Sequence, residues 1–115
     1  MKVTIQTRGF TLTPAIGSRV HERINSAFAR YAPDIVGIDV FLKDVNRPKG
    51  GEDKQAGIRL HIRHLAPVTV TSTDADLYCA IDITMRRAAR SAKRAISRFR
   101  RIRRRGLDQL VMADA

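Results

Sequence analysis

The chain has 115 residues and 43% hydrophobic side chains, enough for one domain with its own core and too few for two. Its single cysteine, Cys79, excludes an internal disulfide and fits a reducing, cytoplasmic compartment. The net charge of +11 is uneven: residues 1–85 hold 11 basic and 9 acidic side chains, whereas residues 86–105 hold 11 basic and no acidic ones. Such a localised stripe is the footprint of a polyanion partner and not of general solubility.

In chain order, Val3, Ile5 and Thr7 alternate with Lys2, Thr4 and Gln6 as a first strand. The alternation lacks the continuous apolar core of a signal peptide. Thr13-Pro14 has the form of a helix N-cap followed by a proline at the first helical position. Ile16, Val20, Ile24, Ala27, Phe28 and Tyr31 recur at spacings of three and four, which predicts a helix to about Ala32, ended by Pro33. Val36, Ile38, Val40 and Leu42 predict a second strand, and residues 44–54 a polar loop. Ile58, Leu60 and Ile62 mark a third strand with Arg59, His61 and Arg63 on its other side; after a turn at Leu65-Ala66-Pro67, Val68, Val70 and Ser72 mark a fourth. Asp74 or Asp76 can cap a second helix that begins at Leu77 and runs to about Arg105, with Gly106 as its stop.

The order β-α-β-β-β-α predicts an α+β fold: a two-layer sandwich with a four-stranded sheet and both helices on one face. Strands two, three and four should be antiparallel, and the helical crossover allows strands one and two to be parallel or neighbours. Residues 1–105 form one domain in this reading, and residues 106–115 a flexible tail. No stretch approaches the ~18 apolar residues that span a membrane, and no membrane partner is expected.

The second helix carries the chemistry. At about 100° per residue, Leu77, Ile81, Thr84, Ala88, Ala92, Ala95, Phe99 and Ile102 form one stripe. Arg86, Arg90, Lys93, Arg94, Arg101 and Arg104 lie opposite, with Arg87, Arg98 and Arg105 flanking them. A merely solvated face mixes signs, yet no acid lies between Ile83 and Leu107. The pairs Arg86/Arg90, Arg90/Arg94, Arg94/Arg98, Arg100/Arg104 and Arg101/Arg105 oppose the helix by about 0.2–0.5 kcal/mol each. A bound polyanion removes that repulsion, and arginine forks suit phosphate oxygens and exposed bases. A helix over 77–105 is about 43 Å long against ~23 Å for a seven-residue strand, so the turns around Arg98–Arg105 should overhang the sheet. Arg19, Arg23 and Arg30 on the first helix can add to the basic surface, diluted by Glu22.

Residues 74–82, Asp-Ala-Asp-Leu-Tyr-Cys-Ala-Ile-Asp, resemble the signature that opens the last helix in the ribosome hibernation-promoting factor family, also called ribosome-associated inhibitor or S30AE-like (sigma-54 modulation) proteins. The resemblance runs over roughly residues 2–105 and includes Thr13-Pro14-Ala15-Ile16 at the start of helix one, Arg30-Tyr31 at its end, and the basic last helix. It implies a partner, the small ribosomal subunit with its 16S ribosomal RNA, and a function: blocking the mRNA/tRNA channel and silencing translation in stress-induced hibernation. It implies contact residues too. Arg87, Arg90, Arg94 and Arg98 match basic positions of the last helix in relatives, and Arg23 and Arg30 match similarly in helix one. The chain departs from the family at Arg86, where relatives often carry an acid nearby. It also departs in a longer loop at Pro48-Lys49-Gly50-Gly51, in the density of arginines over Arg100–Arg105, and in having no room for the dimerising second domain of long members. The alternative reading is a general module for double-stranded or structured RNA, without translation inhibition.

Other residues point to bland roles. Asp74, Asp76 and Asp82 read as caps and polar contacts, Tyr78 as a packing residue with a locally bonded hydroxyl, and Cys79 as a small buried apolar residue. His61 and His64 face opposite sides of a strand and cannot easily share a metal, and His21 has no evident partner. Lys49-Gly50-Gly51 lacks phosphate-loop spacing, and four Phe and two Tyr are too few for a base-stacking sheet. No nucleophile, base and ligand converge, so neither an enzyme, a cofactor nor a small-molecule substrate is expected. A membrane-surface role is disfavoured because the apolar helical face is needed for the core.

Overall fold

Four strands and two long helices follow in the predicted order: β1 (Lys2–Arg8), α1 (Pro14–Phe28), β2 (Ile35–Asp44), β3 (Lys54–Ile62), β4 (Val68–Asp74) and α2 (Leu77–Asp114). The computed structural model describes residues 1–44 and 53–114, the last eight of these by their backbone; most of the predicted 44–54 loop lies outside the described residues. Strands order as β1-β2-β3-β4, with β1 parallel to β2 and the other neighbours antiparallel. The parallel pairing is possible because α1 carries the chain back across the sheet.

Alternation builds the core. Ile38, Val40 and Leu42 of β2, Ala56, Ile58, Leu60 and Ile62 of β3 and Val70 of β4 are buried on one sheet face. Arg59, Phe41 and Thr71 point to the other side and are exposed. Ile16, Val20, Ile24 and Phe28 of α1 and Ala80, Ile81, Met85, Ala88, Ala92 and Ile96 of α2 join the same cluster. Helix α2 packs over β3 and β4, and α1 lies alongside α2. Ala80, Ala88 and Ala92 are fully buried; their small side chains allow the helix backbone close to the sheet.

Four local features depart from the sequence reading. The α-helical part of the first helix ends at Phe28, and a 3-10 turn carries the chain over Ala29–Tyr31. Pro33 has no N–H to donate to the Ala29 carbonyl, which accepts from the Ala32 amide instead. In β2 the register shifts between Ile35 and Gly37, so Ile35 is buried and Val36 is 54% exposed. A one-residue slip exchanges the two faces of a strand, and the irregularity confines that exchange to the strand's first turn of alternation. The apolar stripe of α2 is also centred differently. Ala80, Met85 and Ile96 are buried, Ala95 and Phe99 are half-buried, and Ile102 is 56% exposed.

Finally, Gly106 does not stop α2, which continues to Asp114. A glycine inside a helix costs about 1 kcal/mol relative to alanine but bars nothing, and the left-handed conformation of a glycine stop is not adopted here. The stretch after it, Leu107-Asp-Gln-Leu-Val-Met-Ala, contains no further glycine and no proline.

Thr84 is the buried polar residue among the described residues, and its hydroxyl donates to the Ala56 carbonyl at 3.1 Å, tying α2 to β3. Valine at this position keeps the shape and removes the donor. Thr84→Val should cost about 1–2 kcal/mol in urea unfolding, with the denaturant slope unchanged.

Candidate nucleic-acid interface

Thr13 starts α1 as expected: its Oγ1 accepts from the Ile16 amide at 3.2 Å and Pro14 opens the first turn. With Ile16, Val20, Ile24 and Phe28 facing inward, the 3.6-residue period turns Arg23, Ser26 and Arg30 toward the neighbouring helix. From α2, Asp82, Arg86, Ala89, Arg90 and Lys93 face them. Between the helices runs a trough floored by Ala27, Met85 and Ala89 and walled by Arg23, Arg30, Arg86 and Arg90. It continues along α2 over Arg90, Lys93, Arg94 and Ser97.

The trough is electrically lopsided. At one end Asp82 receives Arg19 Nη2 at 3.0 Å and Arg23 Nε at 2.9 Å, so charge there is partly compensated. The Arg19 guanidinium also lies 5.4 Å over the Tyr78 ring, a cation–π arrangement. Beyond Asp82, Arg30, Arg86, Arg90, Lys93 and Arg94 have no ion-pair partner among the described residues. Uncompensated cations converging on an open groove create a positive potential, which salt screens because the side chains are exposed.

The predicted residues separate into groups. Arg30, Arg86, Arg90, Lys93 and Arg94 are brought together along the trough. Arg23 lines it but is held by Asp82. Arg87 stands at the β4 edge of the exposed face of α2, about 100° round from Arg86, where Nη1 donates to the Thr71 carbonyl at 2.8 Å and to Ser72 Oγ at 2.9 Å on β4. Arg98, eleven residues on, shares that side of the helix by its spacing and is exposed. Arg101 and Arg104 lie beyond the body of the domain, fully in solvent.

Ser26 and Ser97 line the trough without having been singled out from the sequence; each lies three residues from a basic candidate, Arg23 and Arg94, which is the available signal. Arg19, expected to add to the basic surface, is instead held by Asp82, 63 positions away.

Two expectations near the start of α2 are corrected. Cys79 is exposed, and Tyr78 is 38% exposed with Arg19 over its ring. Both stand in the first turn of α2, before the helix has come fully onto the sheet. The Asp76 carboxylate, then partial desolvation, then Asp74 and Asp82 push the Cys79 thiol above its ordinary pKa, which disfavours the reactive thiolate. The aspartates act as expected: Asp74 accepts from the Asp76 amide and Asp76 from the Tyr78 amide, both at 2.9 Å.

The two histidines also lie apart. His61 bonds Asp39 at 2.8 Å on the open sheet face. His64, in the left-handed region at φ 67°, stacks on Phe99 with ring centroids 5.9 Å apart.

Comparison with known proteins gives the following likenesses. Residues 3–100 match the family model described as sigma 54 modulation protein / S30EA ribosomal protein. The N-terminal domain of protein Y from Thermus thermophilus is similar at 25% identity and a TM-score of 0.68, covering 82% of this chain and 98% of that one. A ribosomal subunit interface protein from Coxiella burnetii shares the fold at 13% identity and a TM-score of 0.69, covering 84% of this chain and 99% of that one. No curated protein sequence matches the chain.

Proposed function

This chain belongs to the sigma 54 modulation protein / S30EA ribosomal protein family, and from that premise we propose that it is a cytoplasmic ribosome-binding factor that docks on 16S ribosomal RNA of the small subunit. Docked there, it occupies the channel of mRNA and tRNA and silences translation under stress, as a hibernation factor does. The observation that carries this reading is the trough between α1 and α2, with its run of unpaired cations from Arg30 and Arg86 to Arg94. The ribosomal names of the two similar structures support it.

In this mechanism Arg86, Arg90, Lys93 and Arg94 take phosphates along one edge of the trough and Arg30 along the other. Arg98, Arg101 and Arg104 extend the contact. Arg87 acts mainly as a tether to β4, and Arg23 joins when Asp82 releases it. The reaction is binding alone: channel occupancy excludes the other ligands, and no bond is made or broken.

Sedimentation with separated ribosomal subunits across a salt series, with tRNA as control, tests the reading. Saturable binding to the small subunit over tRNA is expected. For six to ten phosphate contacts, affinity should fall by about 10³–10⁵ between 50 and 200 mM salt on the duplex-DNA scale, and somewhat less on RNA. Equal binding to every RNA would replace the proposal with a general structured-RNA module.

Asp82 supplies an internal check. Asp82→Asn removes the one carboxylate lining the trough and frees Arg19 and Arg23. These pairs are about one-third exposed, so unfolding free energy should drop by no more than about 1 kcal/mol. The salt dependence of RNA binding should steepen by about 0.7–0.9 per arginine that gains a phosphate, with tighter binding at low salt. Weaker binding by a folded Asp82→Asn variant would remove Arg23 from the contact.

A further inference from the structure

Helix α2 outruns its domain. Among the described residues Ile96 is its last buried one, Phe99 stacks on His64, and Arg100 pairs with Asp34. From Arg101 to Gly106 every residue is exposed while the helix continues. Arg105 thus stands about 13 Å beyond Ile96 along the axis. The family match ends at residue 100, so this projecting arm is additional to what the family model describes.

The arm differs in charge geometry from the trough. Over the body, Arg86, Arg87, Arg90, Lys93, Arg94 and Arg98 fall within an arc of about 140°, because the rest of the helix circumference faces the sheet and α1. In the arm, Arg101 and Arg105 lie about 60° and 100° to one side of Arg104, and Arg103 lies about 100° to the other. The arginines span about 200°, with Arg103 and Arg105 nearly opposite. A single flat surface cannot meet both. From Arg101 to Gly106 the side chains are exposed, so nothing in the domain body offsets the repulsion between Arg101 and Arg105, and with Arg103 on the far side the arm gains most from anions on two sides.

A regular RNA duplex does not offer that arrangement. Its major groove is deep and narrow, whereas a helix with side chains is about 10–12 Å across. Two backbones flank an object of that width where RNA helices diverge or lie side by side. We propose that Arg101–Arg105 is a second RNA-binding element that inserts between two phosphate backbones at a junction of RNA helices, Arg103 and Arg105 gripping opposite strands. The proposal rests on the RNA-binding reading of the trough and adds the site and shape of RNA that the arm selects.

The test uses the full chain with Arg103→Gln, Arg105→Gln and the double variant, each with its melting temperature recorded. Probes are purified small ribosomal subunits, a three-way-junction RNA and a linear duplex of equal length, titrated across salt. Each single variant should lower the salt slope on subunits by about 0.7–0.9, and the double variant by the sum. Wild type should prefer the junction to the duplex, and the double variant should lose that preference at unchanged melting temperature. One neutral variant out of two would mean docking on a single surface and overturn the proposal. So would two neutral variants in a protein that binds subunits and loses binding on Arg90→Glu/Arg94→Glu, which would leave the trough reading standing. Wild type binding none of the RNAs would remove both.

Discussion

Arg90→Glu/Arg94→Glu is expected to reduce affinity for the small subunit by at least about a hundredfold while leaving the protein folded. Both side chains line the trough, and neither has a hydrogen-bond or ion-pair partner among the described residues. Each loses a charge-assisted contact to phosphate of about 1.5–3 kcal/mol, so two amount to about 3–6 kcal/mol, and the reversed charges add repulsion. The effect on the fold has the opposite sign. The like pairs Arg86/Arg90 and Arg94/Arg98 become attractive, while the two new carboxylates repel each other as the Arg90/Arg94 pair did. Helix stability should hold or rise by a few tenths of a kcal/mol. Filter binding and a thermal melt on the same preparation check both halves. Native affinity in a folded double variant would refute the assigned face.

The largest loss of stability is expected from Phe28→Ala. Phe28 is fully buried at the end of α1, where the chain turns through Ala29–Tyr31 toward β2. Removing a buried phenyl ring costs about 3–5 kcal/mol, and at about 4 °C per kcal/mol for a domain of this size the melting temperature should fall by about 12–20 °C. The ring holds the end of α1 that presents Arg30 to the trough, so the loss should be partly recovered by the ligand. Subunits at a hundred times their dissociation constant would restore about 2.7 kcal/mol. A calorimetric melt with and without subunits measures both, and an unchanged melting temperature would mean that α1 is not anchored through this residue.

Much of this was legible beforehand because it depends on local periodicity. Alternation at Val3/Ile5, Ile38/Val40/Leu42, Ile58/Leu60/Ile62 and Val68/Val70 located every strand. The absence of acids between Ile83 and Leu107 marked the basic face. What stayed hidden depended on neighbours distant in sequence. A helical wheel gives the angle of Arg87 but not that β4 stands there to accept its hydrogen bonds. It places Ile102 in the apolar stripe but not the edge of the body, past which Ile102 has nothing to pack against. Asp82 looked like a helix-start residue until α1 brought Arg19 and Arg23 to it.

The sequence by itself determined the order of elements, the face each strand buries and the confinement of surplus charge to one helix, because all three follow from side-chain spacing along a backbone of known period. Only the tertiary structure decided which arginines converge, which are already engaged and how far α2 projects. Those are distances between segments far apart in the chain, set by the packing of α1, α2 and the sheet around one core.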